Sequence, residues 1–236
     1  MSLPKLTTPE FNIDIPSTKE PIRIRPFLVK EEKILYIALE SGESKDIEQA
    51  ITNIMESCIT TPGINIHKLP AYDIEYLFLQ LRGKSVGETI TMNIMHQGDN
   101  ECTHATTVSF DIDEVQVEFN KNHQYTIDIG NGLGIKFKDP SIKDVVNAES
   151  ADNDYDTIIN MIANCVESVY DSDNVYDDFT NDELREFLNS LTQKQFTSVQ
   201  SFFDTLPKLR KEIEWTCESC GKKDKTTIEG LQNFFM

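Results

Sequence analysis

Cys217-Glu218-Ser219-Cys220-Gly221 is the part of this chain whose residue types and spacing specify a chemistry most clearly. Two cysteines separated by two residues on a tight turn, with a glycine just after, form half of a zinc ribbon. Two strand-like runs flank the turn, Glu212-Ile213-Glu214-Trp215-Thr216 before it and Lys225-Thr226-Thr227-Ile228 after it. Tetrahedral zinc takes four nitrogen or sulfur ligands, so two more are needed. The loop from His96 to His104 also joins two predicted strands, and Cys102 with His96 or His104 would complete a site if the two hairpins meet in space. The candidate ligand set is Cys217, Cys220, Cys102 and His104, holding a structural zinc. The alternative is a bare turn whose cysteines bind nothing. A redox role is disfavoured, because a redox CxxC normally opens a helix, whereas Gly221, Lys222 and Lys223 read as a turn.

No other constellation reaches the same standard. Gly83-Lys84-Ser85 resembles the end of a phosphate-binding loop, but the full motif needs a glycine where Phe78 stands. It also follows a predicted helix and precedes a strand, the reverse of the order that mechanism requires. Gly130, Gly132 and Gly134 lie between two strands and read as hairpin chemistry. His67, His96, His104 and His123 fall in no recognisable catalytic motif. His67 and His123 are expected at turns, and Cys58 and Trp215 in the core. No catalytic residue is nominated and no cofactor other than zinc is indicated.

Composition narrows the classes further. The 236 residues carry 40 acidic and 22 basic side chains, a net charge of −18, which opposes nucleic-acid binding and docking to an anionic membrane. Between Glu149 and Glu186, twelve acids face a single base, Arg185. That block reads as a solvated helical surface or as an electrostatic docking face for a basic partner. No apolar run reaches the roughly 18 residues of a membrane span, and the first residues lack an apolar signal core, so secretion is not expected. Five cysteines, an odd count, argue against a disulfide framework.

The elements that must position these residues follow from periodicity. Phe11, Ile13 and Ile15, then Ile22 and Ile24, alternate as two strands of an extended N-terminal arm, with Arg23 and Arg25 outward. Three helices are expected, over about 30–40, over the stripe Ile47, Ala50, Ile51, Ile54, Met55, Cys58 and Ile59, and over about 71–82. Alternating runs from Ile90 to Phe137 predict four or five antiparallel strands in a meander. From Pro140 to Leu206 the pattern is helical, with capping signals at Ser141/Asp144, Thr180/Glu183 and Thr192/Gln195. The expected fold is α+β: an N-terminal hairpin arm and helices, a central antiparallel sheet, and an acidic C-terminal helical segment ending in the CxxC β-hairpin. The expected divisions are 1–139, 140–210 and 211–236.

Two long segments carry a family resemblance. One runs from Ile22-Arg23-Ile24-Arg25-Pro26 through Leu35. The other runs from Lys68-Leu69-Pro70-Ala71-Tyr72 through Gly87. With the cysteine hairpin and the tail Gly230-Leu231-Gln232-Asn233-Phe234-Phe235, they resemble the T-even-type phage baseplate proteins, a family that includes the baseplate hub subunit and the hub assembly catalyst. The resemblance implies a structural or assembly role in a contractile tail, without catalytic residues. The implied partners are other baseplate and hub proteins, with no nucleic acid and no membrane. The implied locations are the host cytoplasm during assembly and the virion baseplate. Arg23, Arg25, Tyr72 and Tyr76 are the expected contact residues. The rival readings are a zinc-ribbon adaptor outside the baseplate and an enzyme without a recognisable motif.

Overall fold

The computed structural model describes residues 7–95, 102, 104–149 and 153–234. Strands β1 (Phe11–Asp14) and β2 (Pro21–Ile24) form an antiparallel hairpin with Phe11 opposite Ile24. Ile13, Ile15, Ile22 and Ile24 are buried, as the alternation requires. The hairpin is not a free arm. Its turn is pinned by buried Asp73, which accepts hydrogen bonds from the Ser17 N–H and hydroxyl. Its far end joins residues 58–60: the Arg25 N–H donates to the Cys58 carbonyl at 2.9 Å, and the Thr60 N–H to the Arg23 carbonyl at 2.8 Å. The exposed arm expected from alternation is therefore a docked hairpin, because both its apolar edge and its backbone find partners in the fold.

Helices α1 (Val29–Ser41) and α2 (Ser44–Cys58) are separated by Gly42 at φ 70, a left-handed C-cap that costs glycine little. The predicted stripe of α2 is buried at Ala50, Ile51, Ile54, Met55 and Cys58, but the helix stops short of Ile59, which turns extended and bridges to Ile24. Helix α3 (Ala71–Val86) is buried on several sides, with Tyr72, Ile74, Leu77, Phe78, Leu79 and Leu81 all inside, as its nearly continuous apolar sequence demands. Strands β3 (Thr89–Ile94) and β4 (Thr106–Asp111) pair antiparallel, and β5 (Gln116–Glu118) follows.

The next stretch holds β6 (Thr126–Gly130), β7 (Leu133–Phe137), α4 (Ile142–Glu149), α5 (Asp154–Cys165), β8 (Val166–Tyr170), β9 (Val175–Tyr176), α6 (Asn181–Ser190) and α7 (Gln193–Asp204). Strands β6-β7-β8-β9 form one antiparallel sheet in sequence order. Its core gathers Ile129, Ile135, Phe137, Ile159, Ile162, Leu184, Leu188, Val199 and Phe202, with Phe137 stacked on Phe202 at 4.6 Å. All three predicted capping signals are present: Ser141 and Asp144 exchange hydrogen bonds at the start of α4, and Thr180 and Thr192 cap α6 and α7, with Glu183 and Gln195 reaching back. The chain closes with β10 (Lys208–Thr216) and β11 (Lys223–Glu229).

The α+β class is as expected, and every strand pair is antiparallel, but the strands divide among four sheets. β5 leaves its sequence neighbours and pairs with β10, giving the order β11-β10-β5. The segment read as helical throughout contains β8 and β9, because Val166 breaks from helical geometry and its strand completes the free edge of β7. Two compact units result. Residues 1–66, 72–118 and 208–236 form one, and 67–71 with 119–207 form the other. Beyond residue 72 the chain passes between these units near 118 and 207. β6 and β7 go with the helices because β8 pairs with β7, and the cysteine hairpin goes with the first unit because β5 pairs with β10.

Candidate metal centre

The cysteine turn is built by the strands beneath it. β10 alternates Lys, Arg and Glu outward with Leu209, Ile213 and Trp215 buried, and it pairs with β11 from Arg210/Glu229 to Thr216/Lys223. Lys225 bridges Glu212 and Glu214 across the pair at 3.1 and 2.8 Å, and the Trp215 indole N–H donates to Thr226 Oγ1 at 2.9 Å. Beyond the last pair, the Cys217 N–H donates to the Lys222 carbonyl and the Gly221 N–H to the Cys217 carbonyl, both at 2.9 Å. Closing that ring requires the left-handed φ of 72 at Gly221. The Lys222 N–H points at the Cys220 sulfur.

Cys102 arrives from the other hairpin. The Glu218 N–H donates to the buried Thr106 Oγ1 at 3.3 Å, tying the start of β4 to the turn. Cys102 Sγ lies 3.6 Å from Cys217 Sγ, and the sulfurs of Cys102, Cys217 and Cys220 all lie within 4.8 Å of one another. Cys217 is buried, Cys102 half-buried and Cys220 exposed, and all are free thiols. A tetrahedral zinc with Zn–S of about 2.3 Å sets its sulfurs about 3.8 Å apart, so the donor type and spacing fit a thiophilic cation.

His104 is exposed, with Nε2 3.8 Å from Glu218 Oε2, and stands outside the group of three sulfurs. His96 lies outside the described residues. Cys58 and Cys165 are buried in separate places, where burial pushes their thiols up to about 11 and about 12. They are inert core residues.

The contact residues separate sharply. Arg23 is 55% exposed and faces Glu10 at 3.4 Å. The Arg25 side chain is 17% exposed and pairs at 3.0 Å with Glu31, itself 4% exposed. Glu31 also accepts the Leu28 N–H at 2.7 Å, closing the first turn of α1. Burial pushes the Glu31 carboxyl up, but the hydrogen bonds from Arg25, Leu28 and Lys30 hold it below its ordinary value. Tyr72 is buried and Tyr76 half-buried in α3, so these rings pack within the fold. Exposed apolar side chains gather instead on α1, where Tyr36, Ile37 and Leu39 are 62%, 55% and 51% exposed. Periodicity gave no warning of it, because α1 has apolar residues on several faces and buries only Glu31 and Ala38.

The Gly83-Lys84-Ser85 match is structural. A Cβ on Gly83 would meet Ile112 Cδ1 at 3.1 Å, Lys84 pairs with Glu88, and Ser85 Oγ accepts the Phe27 N–H at 3.0 Å. A groove of about 460 Å³ between β3 and β11 is lined by Thr91, Met92, Asn93, Ile94, Thr226, Thr227, Ile228 and Asn233. It presents no carboxylate, imidazole, thiol or amine. Glu75, whose carboxyl burial pushes up to about 7, does not line it.

The chain is thus an acidic α+β protein with a cysteine knuckle on a strand pair and an exposed apolar helix. The chain belongs to the T4 bacteriophage base plate protein family, whose family model matches residues 8–236. It is a phage baseplate protein. No curated protein and no solved structure matches the chain. Among the described residues, no helix is long and apolar enough to cross a membrane.

Proposed function

We propose that this chain serves the hub of the baseplate, as a hub subunit or as a factor that assembles it, and that it works through protein–protein contact alone. The observation that carries this reading is the exposed apolar surface of α1. Tyr36 and Leu39 on one side, and Ile37 on another, leave large apolar side chains in water on a helix whose first turn is fixed by the Arg25–Glu31 pair. Large apolar side chains grouped in water mark interaction sites, and burying them at an interface would contribute several kcal/mol, at about 25 cal/mol per Å². Arg23, exposed at the end of the docked hairpin, is the charged contact that accompanies it.

Replacing Tyr36, Ile37 and Leu39 together with Asp tests the reading. The variant is expected to keep its melting temperature within a few degrees, because surface changes of this kind shift stability little. It is also expected to be lost from baseplates assembled in vivo. Normal baseplate yield and normal co-purification with hub proteins would overturn the proposal. Mass spectrometry of intact purified tails separates the two forms of the role: a subunit is found in the particle, an assembly factor only in its precursors.

A further inference from the structure

We propose that Cys102, Cys217 and Cys220 bind one zinc ion, which clamps the β3–β4 hairpin to the β10–β11 hairpin, with His104 as the fourth donor. Two thiols three residues apart and a third from 115 residues earlier converge on one point of the same compact unit. A closest sulfur–sulfur distance of 3.6 Å is far longer than the roughly 2.05 Å of a disulfide and close to the spacing around a tetrahedral zinc. The turn is pre-shaped for the task. Gly221 in its left-handed conformation closes the 217–222 ring, and the Lys222 N–H is directed at the Cys220 sulfur, which fixes where that sulfur sits.

Thiolate donors select soft or borderline cations over magnesium and calcium. A three-sulfur set completed by an imidazole is an ordinary structural zinc site, whereas iron–sulfur clusters are held by four cysteines. Four protein ligands close the coordination sphere, so the ion has no open position for a substrate and its role is structural. His104 lies two residues beyond Cys102, exposed beside Glu218 between the two knuckle cysteines. The hydrogen bond from Glu218 to Thr106 already holds the two hairpins in register at this point, so binding requires little rearrangement of the backbone. The clamp is independent of the hub reading above: it concerns how the first unit is held together, whatever partner that unit meets.

The test uses full-length protein purified under reducing conditions with zinc present. About one zinc per chain is expected to survive dialysis against a weak chelator. Alkylation then reports the site without depending on the folding of a variant. Cys220 is exposed, so it is expected to react slowly with iodoacetamide in the zinc-loaded protein, and at least tenfold faster after a strong chelator. The melting temperature is expected to fall by several degrees on chelation and to recover with zinc but not with magnesium. Cys217→Ser and Cys102→Ser are expected to lose the metal. His104→Ala is expected to weaken retention at least tenfold, and unchanged retention would overturn the assignment of the fourth donor. Less than about 0.1 zinc per chain, with chelator-independent alkylation of Cys220, would overturn the site. So would a Cys102–Cys217 disulfide in freshly reduced and purified protein.

Discussion

Arg23 and Arg25 lie two positions apart at the end of one strand, yet the fold uses them in opposite ways. Arg23 meets Glu10 in water, and such an exposed pair contributes about 0.2–1 kcal/mol at most. Arg25 neutralises a carboxylate that is almost fully enclosed and that itself holds the first turn of α1. Among the described residues, removing Arg25 leaves that carboxylate only the exposed Lys30 ammonium, 3.3 Å away, as a counter-charge. Arg25→Ala is therefore expected to cost about 2–3 kcal/mol and Arg23→Glu less than about 0.5 kcal/mol, both read from urea midpoints. The sequence offers these residues as an equivalent outward pair, because alternation reports which face of a strand a residue occupies but not where the strand ends. Arg25 is past that end, and Glu31 is one helical turn into the next element. The cysteine turn is legible for the converse reason. Its chemistry is local, carried by two thiols and a glycine within five positions, while the third thiol is known only as a candidate until the hairpins are seen to meet. His123, read as a turn residue, is packed against Phe202 with Nδ1 2.9 Å from Thr205 Oγ1; nothing near it in the sequence announces either contact.

Among the elements, helices with strong signals stand where periodicity and caps put them. The α2 stripe is buried, and the Thr180 and Thr192 boxes start α6 and α7. Thr180 Oγ1 accepts the Glu183 N–H while Glu183 accepts the Thr180 N–H and hydroxyl, and these contacts hold the Glu183 carboxyl below its ordinary value. Thr180→Ala is expected to cost about 1 kcal/mol, with Thr180→Asn recovering most of it, as measured by denaturant unfolding of the second unit. Strands fare less well. Ile158, Ile159, Ile162, Ala163 and Val166 continue one helical stripe across the junction of α5 and β8, so period alone carries the helix too far. What stops it is the unpaired edge of β7, a non-local partner. The same holds for β5, whose three residues find β10 some ninety positions away. Such pairings follow from backbone hydrogen bonding between distant segments, which leaves little trace in either segment by itself.

Taken whole, the molecule carries two buried titrations of opposite sense, one in each unit. Burial raises Glu75 from its ordinary 4.5 to about 7; the Leu231 N–H opposes this and the charge of Glu229 adds to it. The folded first unit therefore keeps a proton that the unfolded chain has released, and its stability falls as pH rises from about 4.5 through 7. His123 is pushed below 6.5 by burial, with Asp139 acting the other way. The folded second unit sheds a proton that the unfolded chain holds, so its stability falls as pH drops below 6.5. From pH 8 to pH 5.5 the first unit is expected to gain stability and the second to lose it. Trp215, the single tryptophan, reports the first unit by fluorescence, and hydrogen exchange of peptides within 126–204 reports the second. Glu75→Gln is expected to stabilise the first unit by about 2 kcal/mol at pH 8 and to leave it unchanged at pH 4.5. Coincident trends in both probes would remove this account.

The partnership of β5 with β10 also orders events on the ribosome. Every strand and helix of the second unit has been synthesised once residue 207 is made, and that unit can close while translation continues. The first unit is begun earlier and finished later. The sheet β11-β10-β5 lacks two of its three strands until residues 208–229 emerge, so the unit begun first is completed last. A message that stops short of codon 208 would yield a polypeptide with its second unit intact and β5 left without a neighbour.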